Sequence, residues 1–149
     1  MQRDDSKMVG RTFNAREPYR VSAEKIANFC AAVGEDNPLY IDPIAAKAGP
    51  YGGIVAPPGF AAAFRYADNV FDQIPALKGG GLMAGIDLEF GAPIRIGDSI
   101  SVASELKEIY EKTGRTGTMK FFVVRSTLTN QNGEMVAHVD HRMMRRVRG

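Results

Sequence analysis

The chain has 149 residues and a net charge of +2, from 19 basic and 17 acidic side chains. Such a length is read as a single domain, residues 1–149, able to bury a respectable core. The near-balanced charge argues against nucleic acid or a membrane surface as partner. Cys30 is the single cysteine, which excludes an internal disulfide and any cysteine-rich metal site, and no apolar run approaches the length of a spanning helix.

In chain order, the opening M-Q-R-D-D-S-K has no apolar signal core, so the expected location is the cytoplasm. A short strand is expected over Val9–Phe13, set apart by Pro18. Ser22 then reads as an N-cap, with Val21 stapled onto Ile26 across it. Ile26, Phe29, Cys30 and Val33 recur at helical spacing and predict one buried stripe, which places the Cys30 thiol in the core rather than in a nucleophile's position. Gly34 suits the position just past a helix end.

The stretch Gly34–Asp42, G-E-D-N-P-L-Y-I-D, follows. Pro38 biases Asn37 away from the helical region, so the sequence predicts a stiff, extended connector carrying Glu35, Asp36, Asn37 and Tyr40. Convergent polar groups on a stiff loop suit a small-molecule site, whereas the plainer reading is a solvated turn. Pro43 starts a short alanine-rich helical turn, and A-G-P-Y-G-G makes an irregular loop. A second helix is predicted from Pro58 to Phe71, with Phe60, Phe64, Ala67 and Phe71 on one stripe and Ala61, Ala62 and Ala63 keeping it slim. A helix small or apolar all round belongs at the centre of other structure.

From Gly79 the period changes to two. Strands are predicted over Leu82–Phe90, Ser99–Tyr110, Thr118–Thr129 and Glu134–Arg145, joined by P-I-R-I-G-D, K-T-G-R-T-G and N-Q-N-G turns. The result is an α+β domain, a curved antiparallel sheet wrapped around a central helix. Its open edges make dimerisation the expected solution. His138 and His141, three apart on a strand, point to opposite faces and read as surface or edge residues. Asp87 and Glu89 read as a solvated face, and Arg142, Arg145, Arg146 and Arg148 as a basic tail without acids.

The order of D-N-P-L-Y-I-D, the glycine-rich loop, A-P-P-G-F, F-G-A-P-I-R-I-G-D-S-I and three strands resembles the hot-dog fold of MaoC-like hydratases and dehydratases. The likeness runs from about Tyr19 to the C-terminus. It is nearest to the N-terminal halves of double hot-dog dehydratases and to one subunit of heterodimeric (3R)-hydroxyacyl-thioester dehydratases. The resemblance implies water addition or removal across the 2,3-bond of an enoyl thioester on CoA or acyl carrier protein. It implies no metal and no cofactor, and a homodimer or a heterodimer with a second hot-dog chain.

Catalytic members of that family resemble D-x-N-P-x-H, the Asp and His forming an acid/base dyad. On this chain Asn37 and Pro38 match, but the Asp position is Glu35 and the His position is Tyr40. Glu keeps the carboxylate on a longer arm. A phenol, with an ordinary pKa of about 10 against about 6.5 for imidazole, donates a hydrogen bond at neutral pH but is a poor base. Gly59 falls where the family has H-G at the start of its central helix, with Pro58 in place of His, so Pro58, Gly59 and Phe60 are the expected thioester-binding residues alongside Asn37. Three readings follow. The first is a substrate-binding half that pairs with a dyad-bearing chain. The second is a self-sufficient homodimeric hydratase using Glu35 or Asp36 with Tyr40, and the third, ranked last, is a thioesterase on the same fold.

Overall fold

The computed structural model describes residues 4–63, 70–78 and 80–147. Six strands among them form one antiparallel system, β1 (Thr12–Asn14), β2 (Tyr19–Arg20), β3 (Leu82–Phe90), β4 (Ser99–Gly114), β5 (Gly117–Thr129) and β6 (Met135–Arg146). The order across the sheet is β1-β4-β5-β6-β3, with β2 also paired to β4. The four long strands lie where their alternating pattern puts them, and β3 has the predicted bounds. β4 runs on to Gly114 and β5 begins at Gly117, so the K-T-G-R-T-G connector tightens to a two-residue turn. The first strand starts later than expected, because Asp5–Met8 coils into a 3-10 turn that buries Met8.

One edge of β4 is closed twice, by β1 against Ala103–Glu105 and by β2 against Ser99 and Ile100. The other edge of the sheet is β3, which pairs only with β6 among the described strands.

Alternation sends Ile100, Val102, Leu106, Phe122, Val124, Leu128, Ala137 and Val139 to the inner face, where all are buried. Helix α1 (Ala23–Val33) packs at one end of that face, with Ser22 Oγ accepting from the Lys25 N–H as its N-cap. Val21 and Ile26, the two ends of the predicted staple, lie in the same buried cluster as Cys30, Phe60 and Leu128. Val33 departs from the predicted stripe: it is 58% exposed, because the chain leaves the core at the helix end. Phe60 and Ala61 are buried within a 3-10 turn, Pro58–Ala63. Phe64 and Ala67 of the predicted second helix lie outside the described residues, and Phe71 sits in a separate 3-10 turn, Val70–Gln73.

A second buried cluster, Met8, Ile74, Leu77, Leu106, Phe122 and Val124, fills the opposite end of the inner face. The buried Ser104 and Ser126 hydroxyls satisfy each other on the same face at 2.7 Å. His141 is not a surface residue. It projects inward between Val124 and Ile86, edge-to-face with Phe71 at 5.5 Å, and its Nδ1 is buried with no hydrogen-bond partner among the described residues. Burial depresses its pKa, only partly opposed by the Asp140 carboxylate. His138 faces the other way and meets Thr127 Oγ1 at 3.0 Å. On that outer face Arg125 grips Asp140 through two bonds, of 2.8 and 2.9 Å, which holds the carboxyl below the usual range. The basic tail does have acid nearby: Arg142 approaches Asp87 at 3.4 Å, while Arg145 donates to the Ala76 carbonyl.

Two predictions follow from packing. A Cβ on Gly91 would lie 2.1 Å from the Met135 carbonyl oxygen, backbone that cannot step aside, because Ala92 N–H already bonds that oxygen at 2.9 Å. Gly91→Ala should therefore cost about 2 kcal/mol or more in urea unfolding, whereas Gly114→Ala, which meets nothing, should stay within about 0.5 kcal/mol. For His141 the folded pKa lies below the ordinary value, so the unfolded chain binds more protons as pH falls through about 6.5. Stability is then lost as pH falls from 7 toward the folded pKa. His141→Leu should flatten the urea midpoint between about pH 7 and pH 5, a range above the ordinary carboxylate titrations.

Candidate functional site

The end of α1 decides where the polar stretch goes. Gly34 takes φ 74°, and the N–H groups of Gly34 and Glu35 both turn back onto the Cys30 carbonyl, the latter at 2.9 Å. This left-handed stop swings Glu35 back beside the helix, half-buried. Its Oε1 accepts the Asn37 N–H at 3.1 Å, bracing the bend from inside.

Asn37 is extended at ψ 124°, as a residue before proline should be, but the connector beyond it is not. Asn37 Oδ1 accepts the Leu39 N–H at 3.0 Å and starts a helical turn, α2 (Pro38–Ile41), with Pro38 at a position that needs no N–H. Asp42 Oδ1 then caps α3 (Pro43–Ala48), accepting from Ile44 and Ala45 at 2.9 and 3.3 Å. The expected stiff extended piece is thus two short capped helices, stiff for a different reason. Asn37 and Asp42 serve as caps, and Asp36 is exposed.

Tyr40 is half-buried against the core, and it shares with Glu35 a cleft of about 370 Å³. Ala23, Ala27 and Ala31 of α1 line one side; Ile41, Pro43, Ile54 and Ile96 line the other, and Cys30 lies between. Cys30 is 2% exposed, and burial first, then the Glu35 carboxylate, push its pKa up. It stays a neutral thiol. The proton-exchanging groups on this wall are therefore one carboxylate and one phenol, with no imidazole.

The far wall is held by a clasp that the sequence reading missed. Asp98, 5% exposed, accepts the Arg95 N–H at 2.8 Å on one oxygen and Gln131 Nε2 at 3.0 Å on the other. Gln131 Oε1 accepts the Ser99 N–H at 3.0 Å, and Gly97 N–H bonds the Val21 carbonyl at 2.8 Å. The Arg95 guanidinium donates to the Tyr51 carbonyl, and the Ala56 N–H bonds the Ile94 carbonyl at 2.8 Å, which ties the glycine-rich loop to the same turn. Ile54 and Ile96 are fixed in consequence. A turn aspartate in G-D-S was the available signal, but its partner Gln131 is 33 residues away.

Pro58 and Gly59 are exposed, and Phe60 is core, edge-to-face with Tyr19 at 6.3 Å and Phe29 at 5.6 Å. A Cβ on Gly59 would meet the Phe29 ring at 3.4 Å. Phe29 and Ala27 project on nearly opposite sides of α1, so Gly59 flanks the helix on the side away from the cleft. The fold brings Glu35 and Tyr40 together and keeps Asp36, Pro58, Gly59 and Phe60 off that cleft's wall. A larger depression, about 920 Å³, lies at the β4–β5 hairpin end of the sheet and is crossed by the Lys120–Asp5 pair at 3.0 Å, but none of the bend's residues lines it. Among the described residues no group of His, Cys, Asp and Glu is placed to hold a metal, and no helix is long and apolar enough to cross a membrane.

Known proteins match this sequence and this fold. The family model of the FAS1-like dehydratase domain region matches residues 7–139. A UPF0336 protein of Streptomyces avermitilis is 39% identical over 115 residues, covering 74% of this chain and 76% of its own length. A Thermomonospora curvata protein named "Probable enoyl-CoA hydratase alpha subunit" is 30% identical over 158 residues, covering 92% of this chain but 49% of that protein. Among solved structures, a MaoC-like dehydratase superposes with a TM-score of 0.79 at 27% identity, over 94% of this chain and 42% of that one. A chain of the (3R)-hydroxyacyl-ACP dehydratase complex HadBC of Mycobacterium tuberculosis superposes at 0.75 over 93% and 97%, with 21% identity, a likeness of fold.

Local stability offers a check on the clasp. Asp98→Ala strands two donors in a nearly buried place and should cost about 2–3 kcal/mol in chemical denaturation, while Asp36→Ala, at an exposed position of the bend, should stay within about 0.5 kcal/mol.

Proposed function

The chain belongs to the FAS1-like dehydratase region family of MaoC-like hot-dog hydratases and dehydratases, and from that premise we propose that it is the substrate-binding half of such an enzyme. Its partner is a second hot-dog chain that supplies the Asp/His dyad, and its substrate is an enoyl or 3-hydroxyacyl thioester of CoA or acyl carrier protein. The observation that carries this reading is the phenol of Tyr40 where a base is needed. Hydration places a water oxygen on C3, gives that water's proton to a base and puts a proton on C2 while the thioester oxygen gathers charge. Tyr40 offers a hydroxyl that donates a hydrogen bond, and a phenol is a poor base for the water's proton. Glu35 is already engaged by the Asn37 N–H.

Two features support pairing. β3 is an edge strand with Leu82 66% and Phe90 51% exposed and with Met83 and Ile86 also bare, which is an unfinished sheet rather than a solvated one. The Thermomonospora curvata relative carries the matching region as about half of a longer chain.

A second reading has its own support, since Glu35 and Tyr40 do line one cleft: a homodimer in which Glu35 activates water and Tyr40 polarises the thioester. Hydratase assays separate the two. The substrate-binding half is expected to turn over 2-enoyl-CoA thioesters, tried from crotonyl to decenoyl, only when mixed with a D-x-N-P-x-H hot-dog chain. Robust turnover by the purified chain alone, abolished by Glu35→Gln with an unchanged melt, would overturn the first reading and establish the second.

A further inference from the structure

The cleft has a direction. At one end are Glu35 and Tyr40; along the rest the lining is apolar apart from the Cys30 thiol, which burial keeps neutral. Ala23, Ala27 and Ala31 are spaced four apart, so their methyls lie in a row along α1, and all three are exposed to the cleft rather than packed in the core. Opposite them Ile54 and Ile96 are held in place by the Arg95–Asp98–Gln131 clasp. Ile41 and Ile96, both exposed, make an apolar rim that water alone does not explain. A ligand with one hydrogen-bonding end and a long featureless body fits this wall. A polar body would forfeit its hydrogen bonds there.

The eight residue steps of helix from Ala23 to Ala31 span about 12 Å. An extended hydrocarbon advances roughly 1.25 Å per bond, from bonds of about 1.5 Å and angles of about 111°, so the wall matches roughly nine or ten bonds. A volume of about 370 Å³ is at the small end of ligand pockets, suited to one unbranched chain.

We infer that this cleft is a length gauge for the acyl chain. The thioester end lies at Tyr40 and the tail runs along Ala31, Ala27 and Ala23 in that order, selecting a linear acyl group of decanoyl to undecanoyl size. The inference rests on the thioester-binding reading above, and its test distinguishes the two.

The test uses the intact chain, titrated calorimetrically with saturated acyl-pantetheine thioesters from butyryl to dodecanoyl, a head common to CoA and carrier protein. Affinity should rise about two- to fourfold per methylene and level off at decanoyl to undecanoyl. Because the alanines are exposed, leucine at each should leave the melt unchanged. Ala31→Leu should weaken hexanoyl and every longer chain about tenfold; Ala23→Leu should spare hexanoyl and weaken decanoyl about tenfold, with Ala27→Leu between them. Affinity independent of length, or three variants with one common profile, overturns the gauge and leaves thioester binding standing. Failure of every thioester to bind, with and without a dyad-bearing partner chain, overturns both.

Discussion

The Cys30 carbonyl receives two N–H groups where most helix carbonyls receive one, and the cleft depends on that pair of hydrogen bonds. It stops α1 in a left-handed turn, so the chain folds back along the helix instead of leaving it. Glu35 then reaches the backbone of Asn37, Asn37 caps one helical turn and Asp42 caps the next. Each link orders the acceptor for the following one. Tyr40 is placed by this relay, at the end of a run of local hydrogen bonds rather than by a distant partner. Such a bend is stiff without regular structure of any length, which is what a binding wall made from a loop requires.

The sheet supplies the other wall and sets the larger asymmetry of the molecule. Its β4 edge is closed by two short N-terminal strands, while β3 carries apolar side chains into solvent. Inside, the core divides into two clusters, one under α1 and one under the 3-10 turns of residues 70–77. The candidate cleft belongs to the first. His141 belongs to the second, so the imidazole that the cleft lacks is present in the protein but at the other end of the sheet, with a depressed pKa and an aromatic neighbour. Position along the strand, not the mere presence of histidine, separates it from the chemistry.

Much of this was legible in the residues because it is local. Alternation gave the four long strands, Ser22 and Gly34 gave the limits of α1, and N-Q-N-G gave its hairpin. The motif order gave the family. What escaped was set by tertiary partners. Pro38 marks an extended connector by its local bias, but proline is equally at home in a first helical turn when the residue before it is a good cap. Val33 kept the helical spacing yet emerged into solvent because the helix outlasts the core it packs on. His141 escapes because a half-buried imidazole whose Nδ1 meets no partner among the described residues has no signature in spacing. The clasp around Asp98 joins two turns far apart in the chain, and no window of sequence contains both.

Cys30 contributes its methylene and sulfur to the cleft while being the chain's single thiol. Any sulfhydryl reagent that modifies this protein therefore reports from one place, beneath Tyr40 and beside the alanines. Its rate of modification becomes a meter for occupancy: whatever fills the cleft shields the sulfur, and whatever loosens the Asp98 clasp uncovers it. The molecule carries its own probe at the point where its chemistry is to be decided.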